Sequence, residues 1–202
     1  MNLHFSKATL HRLCYFAILI FFSACNLDNR VGNSKALVEE MNNRKIKRVT
    51  GSQMATIIDD WGKRIVKKSQ QVLDQALTEQ PKKSVEYCAL RNLSEIDSLR
   101  KMYGVDIKLL TTNDLKNKNL SQKEQEVLEA YLYNAKNNLP PTSNIQKLGD
   151  SIMIYNVPAP IGSSSCKACM AESNLVLWSI RFIKQDVIKR VDEKSLLKMK
   201  SK

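Results

Sequence analysis

Histidine is almost missing from this 202-residue chain, which contains only His4 and His11. Both lie in a basic and apolar N-terminal stretch with the pattern of a cleaved targeting signal, so a processed chain would keep no imidazole. Without histidine, a domain has no histidine general base, no Ser-His-Asp or Cys-His nucleophilic site and no histidine metal ligand. This excludes most hydrolase mechanisms, and we do not expect an enzyme.

Aromatic residues are also scarce, at 6% of the chain, whereas the formal net charge is +12. A surface that stacks nucleic-acid bases needs aromatic side chains interleaved with Lys and Arg, and the sequence lacks that pattern. The charge therefore predicts solvated basic helix faces, which an anionic lipid or polymer surface can attract, and no nucleic-acid partner. The sequence does not identify a protein partner.

The apolar run over residues 13–22 is too short to cross a bilayer and follows Lys7 and Arg12. Small residues and then Cys25 come next, which resembles a bacterial lipobox, although Phe22 stands where that motif prefers Leu. We predict a lipoprotein signal peptide over residues 1–24 and a lipid on Cys25. The chain would then be anchored, on the extracytoplasmic side, to the cell membrane or outer membrane. The alternatives are an ordinary cleaved signal or an uncleaved anchor.

The domain organisation follows from this processing. Residues 25–35 are polar and form a tether, and residues 36–185 form one domain, which begins with a basic helix to about residue 48. Residues 186–202 form a basic C-terminal tail with helical spacing of its apolar residues.

Three further segments place apolar residues at helical spacing, and we predict helices there. They cover residues 50–80, where Thr50 can cap the start, residues 84–103, and residues 121–137 behind a capping box at Ser121. Strands are predicted over residues 105–110 and 175–183, and a hairpin over residues 143–157. Helices followed by mixed helices and antiparallel strands indicate an α+β fold.

Cysteine is limited to five residues, and Cys14 and Cys25 belong to the predicted signal and lipid site. The remaining three are Cys88, Cys166 and Cys169. The last two form a CxxC pair on a predicted turn, which can attach a haem, close a disulfide in an oxidising compartment, or supply part of a metal site. Three thiols without histidine leave a structural zinc site one ligand short, so zinc is the weaker alternative.

Several motifs occur together in one order along residues 50–185. They are Val85-Glu86-Tyr87-Cys88, the strand Val105 to Leu110 with Thr111 to Asn117 behind it, Met153 to Pro158, the CxxC pair, and Trp178-Ser179-Ile180. This resembles the haem-binding, PAS-like sensor-domain family found as periplasmic c-type haem proteins and in bacterial signalling proteins. The resemblance implies an α+β domain with a small antiparallel sheet and long N-terminal helices. It also implies haem vinyl groups bonded to Cys166 and Cys169, with Cys88 and a His after the CxxC pair as axial ligands.

The chain departs from the family pattern at that His, because Met170 follows the second cysteine. Our leading hypothesis is therefore a degenerate, haem-free sensor-like domain that binds a ligand or partner, or is structural, with a Cys166–Cys169 disulfide. The alternative is a c-type haem protein in redox sensing or electron transfer, with haem c on the CxxC pair and Cys88 and Met170 as axial ligands.

Overall fold

The structure is a computed structural model that describes residues 37–38, 49–170, 175–192 and 196. The predicted signal, Cys25, the tether and most of the helix expected over residues 36–48 lie outside these residues. The chain divides into two units after residue 46, and of the first only Leu37 and Val38 are described, both helical. The rest of the description concerns the second unit. Within the described ranges, no helix has the length and apolarity needed to cross a membrane.

Helix α1 spans Gly51–Glu79 and starts and ends where the sequence predicts. Thr50 caps it through a capping box: the Gln53 N–H donates to Thr50 Oγ1 at 3.2 Å, and the Thr50 N–H donates to Gln53 Oε1 at 3.0 Å. Pro81, which cannot continue a helix, opens a short 3₁₀ turn, Pro81–Lys83, directly behind it.

The single helix predicted over residues 84–103 is wrong, because the chain forms two helices there. Helix α2 spans Ser84–Cys88 and helix α3 spans Ser94–Tyr103. Between them Leu90 and Asn92 have φ angles of 52° and 57°, a left-handed conformation that an α-helix cannot contain. This break buries Leu90 at 4% exposure, and burial of that side chain favours it over a continuous helix.

The apolar stripe predicted for that helix is also partly wrong. Val85 is 86% exposed and Met102 is 66% exposed, although the helical spacing of apolar residues over 84–103 predicts that both lie on the buried face. Gly104, with φ 63°, ends α3 in the left-handed conformation, as the sequence predicts.

Four strands form one antiparallel sheet in the order β1-β4-β3-β2. They are β1 (Val105–Leu110), β2 (Asn144–Leu148), β3 (Ile152–Pro158) and β4 (Leu177–Ile183). The predicted hairpin is confirmed, with Leu148 opposite Ile152 across the turn. A 3₁₀ turn, Thr112–Lys116, follows β1. The sheet and the helices confirm the α+β class, with a small antiparallel sheet and a long first helix.

The remaining helices are α4 (Gln122–Lys136), α5 (Ser164–Cys169) and α6 (Lys184–Arg190). Helix α4 has the predicted capping box, in which the Glu124 N–H donates to Ser121 Oγ. Helix α6 falls at the predicted boundary between the domain and the tail, and Val187 packs into the main core.

Side chains alternate across the sheet and build two cores. Met153, Tyr155, Trp178 and Phe182 pack in the larger core with α1, whereas Ile154 and Leu177 pack in the smaller core with α4. Helix α1 lies very close to the sheet at Gly62, where a Cβ atom would be 2.5 Å from Cγ of Tyr155.

Candidate functional site

The CxxC pair lies on helix α5 and not on the expected turn. Ser163 caps this helix, with its Oγ accepting a hydrogen bond from the Cys166 N–H at 3.1 Å. The approach loop before the helix, which is rich in Pro, Gly and Ser, ends at this cap. The loop therefore places both cysteines on adjacent turns of one short helix.

A chain of buried and partly buried hydrogen bonds fixes α5 to α1 and to the sheet. Asp74 Oδ1 accepts from the Ser165 N–H at 2.7 Å, and Gln70 Nε2 donates to Asp74 Oδ2 at 2.7 Å and to Ser165 Oγ. Gln70 Oε1 in turn accepts from Nε1 of the fully buried Trp178 at 2.7 Å. Because buried polar groups are costly without partners, this network holds α5 in one position.

The expected Cys166–Cys169 disulfide is wrong, because Cys169 is bonded to Cys88. Cys88 ends α2, which packs against α5, and its Cα lies 5.4 Å from that of Cys169, within the range that a disulfide needs. Cys166 keeps a free and buried thiol. The bond therefore joins residues 81 positions apart and ties α2 to α5.

This pairing decides how well the cysteines fit a haem. The Cys169 sulfur cannot form a thioether while it is bonded to Cys88, and Cys88 cannot then be an axial ligand. Cys166 and Met170 are the two members of the predicted set whose sulfurs stay free. While this disulfide is closed, the residues present do not fit a haem c held by two thioether bonds. The same disulfide also takes two of the three thiols away from a zinc site.

A cavity of about 670 Å³ adjoins α5. Its wall combines the end of α4 and the loop behind it, the loop between β3 and α5, α5 itself, and the two residues before β4. The lining residues are Tyr131, Asn134, Ala135, Asn138, Leu139, Pro140, Pro141, Pro158, Ala159, Ile161, Gly162, Cys166, Lys167, Met170, Leu175 and Val176. The structure thus brings Cys166 and Met170 to one cavity, whereas Cys88 and Cys169 are not part of its lining.

Polar groups at this cavity are few. The Tyr131 hydroxyl lies within hydrogen-bond distance of two backbone oxygens, 2.8 Å from that of Thr142 and 3.2 Å from that of Asn156, and they share its one proton. Burial, with a smaller effect from Tyr155, raises the pKa of Tyr131 to about 12, so this phenol stays neutral. Lys167 is exposed and is the one charged side chain among the described lining residues. This arrangement is suited to binding, because no paired acid and base face the cavity within the described lining.

The sequence analysis missed the residues that position α5. Gln70 occupies a buried position of α1, between the apolar Ile65 and Leu73, and a polar residue inside an apolar stripe is a signal for a buried hydrogen bond. Among the residues that the structure describes, no group of three His, Cys, Asp or Glu side chains could hold a metal ion. No protein-family model, no curated protein and no solved structure matches this chain.

Proposed function

We propose that this chain is an extracytoplasmic lipoprotein, anchored through a lipid on Cys25, whose domain binds a small, mainly apolar molecule and is not an enzyme. The observation that carries the proposal is the cavity of about 670 Å³ beside α5. Ligand sites commonly have volumes of about 300–1,000 Å³, apolar walls and a few polar groups, and this cavity matches each of these properties. Cys166 then contributes to the wall as a small apolar side chain.

The haem-sensor-like PAS relationship is part of the same proposal. It is supported by the order of the sequence motifs, by the small antiparallel sheet under a long helix, and by a cavity that includes Cys166 and Met170. The domain would be a degenerate member that no longer holds haem, since Met170 replaces the expected histidine and Cys169 is bonded to Cys88. The net charge is +12 for the full chain and two lower once Lys7 and Arg12 leave with the signal, and it adds attraction to anionic lipid head groups close to the anchor.

A cavity-filling variant tests ligand binding. The full chain, in phosphatidylcholine nanodiscs, is labelled with a photoreactive apolar probe, a diazirine-bearing dodecanol, and the labelled peptides are identified by mass spectrometry. We expect labelling to concentrate in residues 131–141, 158–170 and 175–176, and Ala135→Phe to reduce it several-fold by filling the cavity.

Ala130→Phe is the matched control, because Ala130 is exposed on the same helix and does not belong to the lining. Its labelling should equal that of the wild type, and circular dichroism should show all three proteins folded. Labelling spread evenly over the chain, or unchanged by Ala135→Phe, would contradict binding in this cavity.

Two simpler measurements test the rest of the proposal. Protein co-expressed with haem-attachment machinery should keep no Soret band after acid–acetone extraction, and a retained band would overturn the haem-free assignment.

Cys25→Ser should move the chain out of the palmitate-labelled, membrane-bound pool, whereas Cys14→Ser should leave it there. Equal labelling of the Cys25→Ser variant would contradict the anchor.

A further inference from the structure

We infer that the ligand is a single-chain amphiphile with one acidic group, such as a long-chain carboxylate, whose acid lies at Lys167 and whose chain lies along the apolar wall. This inference rests on the proposed function and names the class of molecule that the same cavity takes. It is carried by two independent features, the apolar mouth of the cavity and the sign of its charge.

The mouth of the cavity exposes apolar side chains. Ile161 is 90% exposed and Leu139 is 47% exposed, and both belong to the cavity lining with Pro140 and Pro141. Apolar surface in water is unfavourable in proportion to its area, at roughly 25 cal/mol per Å². A ligand with an extended apolar chain would cover these side chains, whereas a small polar solute would leave them exposed to water.

The charge at the cavity has one sign within the described lining. Lys167 is a cation there, and the described lining contains no Asp, Glu or Arg. Tyr131 is the most buried polar side chain of the described lining, and its one hydroxyl proton is already taken up by the backbone oxygens of Thr142 and Asn156. An acidic ligand therefore meets a partner of opposite charge, whereas an amine would meet a like charge and no carboxylate of the described lining.

Size favours one chain over two. A volume of about 670 Å³ is that of a site for a drug-sized molecule, which is smaller than a two-chain phospholipid. Cys166 lines the cavity, but it is buried and packs in the main core. No observation requires a covalent bond between its sulfur and the ligand. We therefore assign reversible binding of a free single-chain acid.

Matched probes test the acidic group. Diazirine-bearing dodecanoate and its methyl ester are compared on the full chain in phosphatidylcholine nanodiscs, at a pH well above the carboxyl pKa. We expect half-maximal labelling of residues 131–141, 158–170 and 175–176 at about two- to five-fold lower concentration for the acid, the range for an exposed ion pair. The preference should weaken as salt is added.

Two lysine variants distinguish a specific contact from general attraction. Lys167→Met keeps an apolar stem without the charge, and it should remove the preference for the acid while leaving the ester unchanged. Lys136→Met removes an exposed lysine from α4 outside the lining and should keep the preference. If Lys136→Met removes it equally, overall charge is responsible and the inference is overturned.

The remaining outcomes separate this inference from the proposed function. Equal labelling by acid and ester within the cavity peptides, or a preference for a diazirine-bearing dodecylamine, would overturn the acidic ligand and keep a binding cavity. If neither acid nor ester labels these peptides above the rest of the chain, the cavity does not bind such ligands, and both proposals fail.

Discussion

At the scale of single residues, Gly62 controls how closely α1 approaches the sheet. A Cβ atom at this position would lie 2.5 Å from Cγ and 2.7 Å from both Cδ atoms of Tyr155, whose ring is buried. Real Cβ atoms do not come this close, and the atoms involved belong to a packed ring and not to a flexible side-chain end. Any larger residue must therefore move either the ring or the helix.

We expect Gly62→Ala to destabilise the domain by about 1–3 kcal/mol from overpacking, against a gain of about 1 kcal/mol in helix propensity. Because packing outweighs propensity here, thermal denaturation should show a melting temperature a few degrees lower than that of the wild type. Gly51→Ala, at the start of the same helix and with no atom beyond its own turn of chain within 4 Å of the added methyl, should not lower it. A Gly62→Ala variant that melts higher than the wild type would contradict the close packing.

Residue partners across the fold were the least predictable feature from sequence. The sequence identifies Cys88, Cys166 and Cys169 as the important thiols, but their spacing favours the nearest pair, Cys166 with Cys169. The observed pair depends on how α2 packs against α5, a contact between segments 81 residues apart. Likewise, the sequence around Asp74 contains no local pattern that predicts its hydrogen bond from the Ser165 N–H.

At the scale of elements, one ion pair connects α4 to the sheet. Arg181 Nη2 on β4 lies 2.7 Å and 2.8 Å from the two carboxylate oxygens of Glu124, whose side chain is 2% exposed. Burial alone would raise the pKa of Glu124, but hydrogen bonds from Arg181 and from Ser121 outweigh it and hold that pKa below its usual range. The ionised carboxylate thus serves both as a cap of α4 and as its link to β4.

A lowered pKa in the folded state means that this carboxylate stabilises the fold above its unfolded-state pKa, about 4.3, and that the stabilisation is lost as pH falls through the folded-state pKa. Glu124→Gln should therefore be destabilised by about 2–4 kcal/mol at neutral pH, since it leaves a half-buried arginine without its charge partner. In urea denaturation, the difference in the free energy of unfolding between the variant and the wild type should shrink as the pH is lowered below the pKa of the unfolded carboxyl.

Glu126→Gln provides the control for this pH dependence, because Glu126 is half exposed on the same helix and pairs with Lys123 at 3.2 Å. Its effect should stay below about 1 kcal/mol at every pH. A Glu124→Gln gap that stays constant down to acid pH would mean that its cost comes from packing and not from the charge.

Elements with strong local signals were predicted well. The caps at Thr50 and Ser121, the end of the first helix near residue 80 and the hairpin over residues 143–157 are all encoded within a few residues, and the structure confirms them. The break between α2 and α3 was missed because the apolar spacing continues across it. Burial of Leu90 in the core, a tertiary effect, overrides that spacing.

At the scale of the whole molecule, the Cys88–Cys169 disulfide limits the unfolded chain. It joins residues 81 positions apart, and a loop of that length corresponds to a stabilisation of about 4.5 kcal/mol in the chain-entropy model. We expect Cys88→Ala to lower stability by about 2–5 kcal/mol and to abolish the response of the melting temperature to reductant. Wild-type protein and Cys166→Ala should both melt at a lower temperature after reduction.

Peptide mapping without reductant provides the direct check of this pairing. One free thiol among these three cysteines fits either pairing, so a thiol count alone does not separate them. The peptide with Cys88 should be linked to the one with Cys169, and alkylation should mark Cys166. A linked Cys166–Cys169 peptide, with Cys88 alkylated, would overturn the observed connection between α2 and α5.

The position of this bond along the chain has a consequence for how the protein is assembled. Strands β1, β2 and β3 and helix α4 all lie between the two bonded cysteines, whereas β4 follows them in sequence and yet lies between β1 and β3 in the sheet. Synthesis from the N-terminus therefore delivers both sulfurs before the strand that fills the middle of the sheet. If the disulfide forms before β4 has been synthesised, β1 and β3 are held within one covalently closed loop without the strand that pairs with both of them. Strand β4 must then insert between them afterwards.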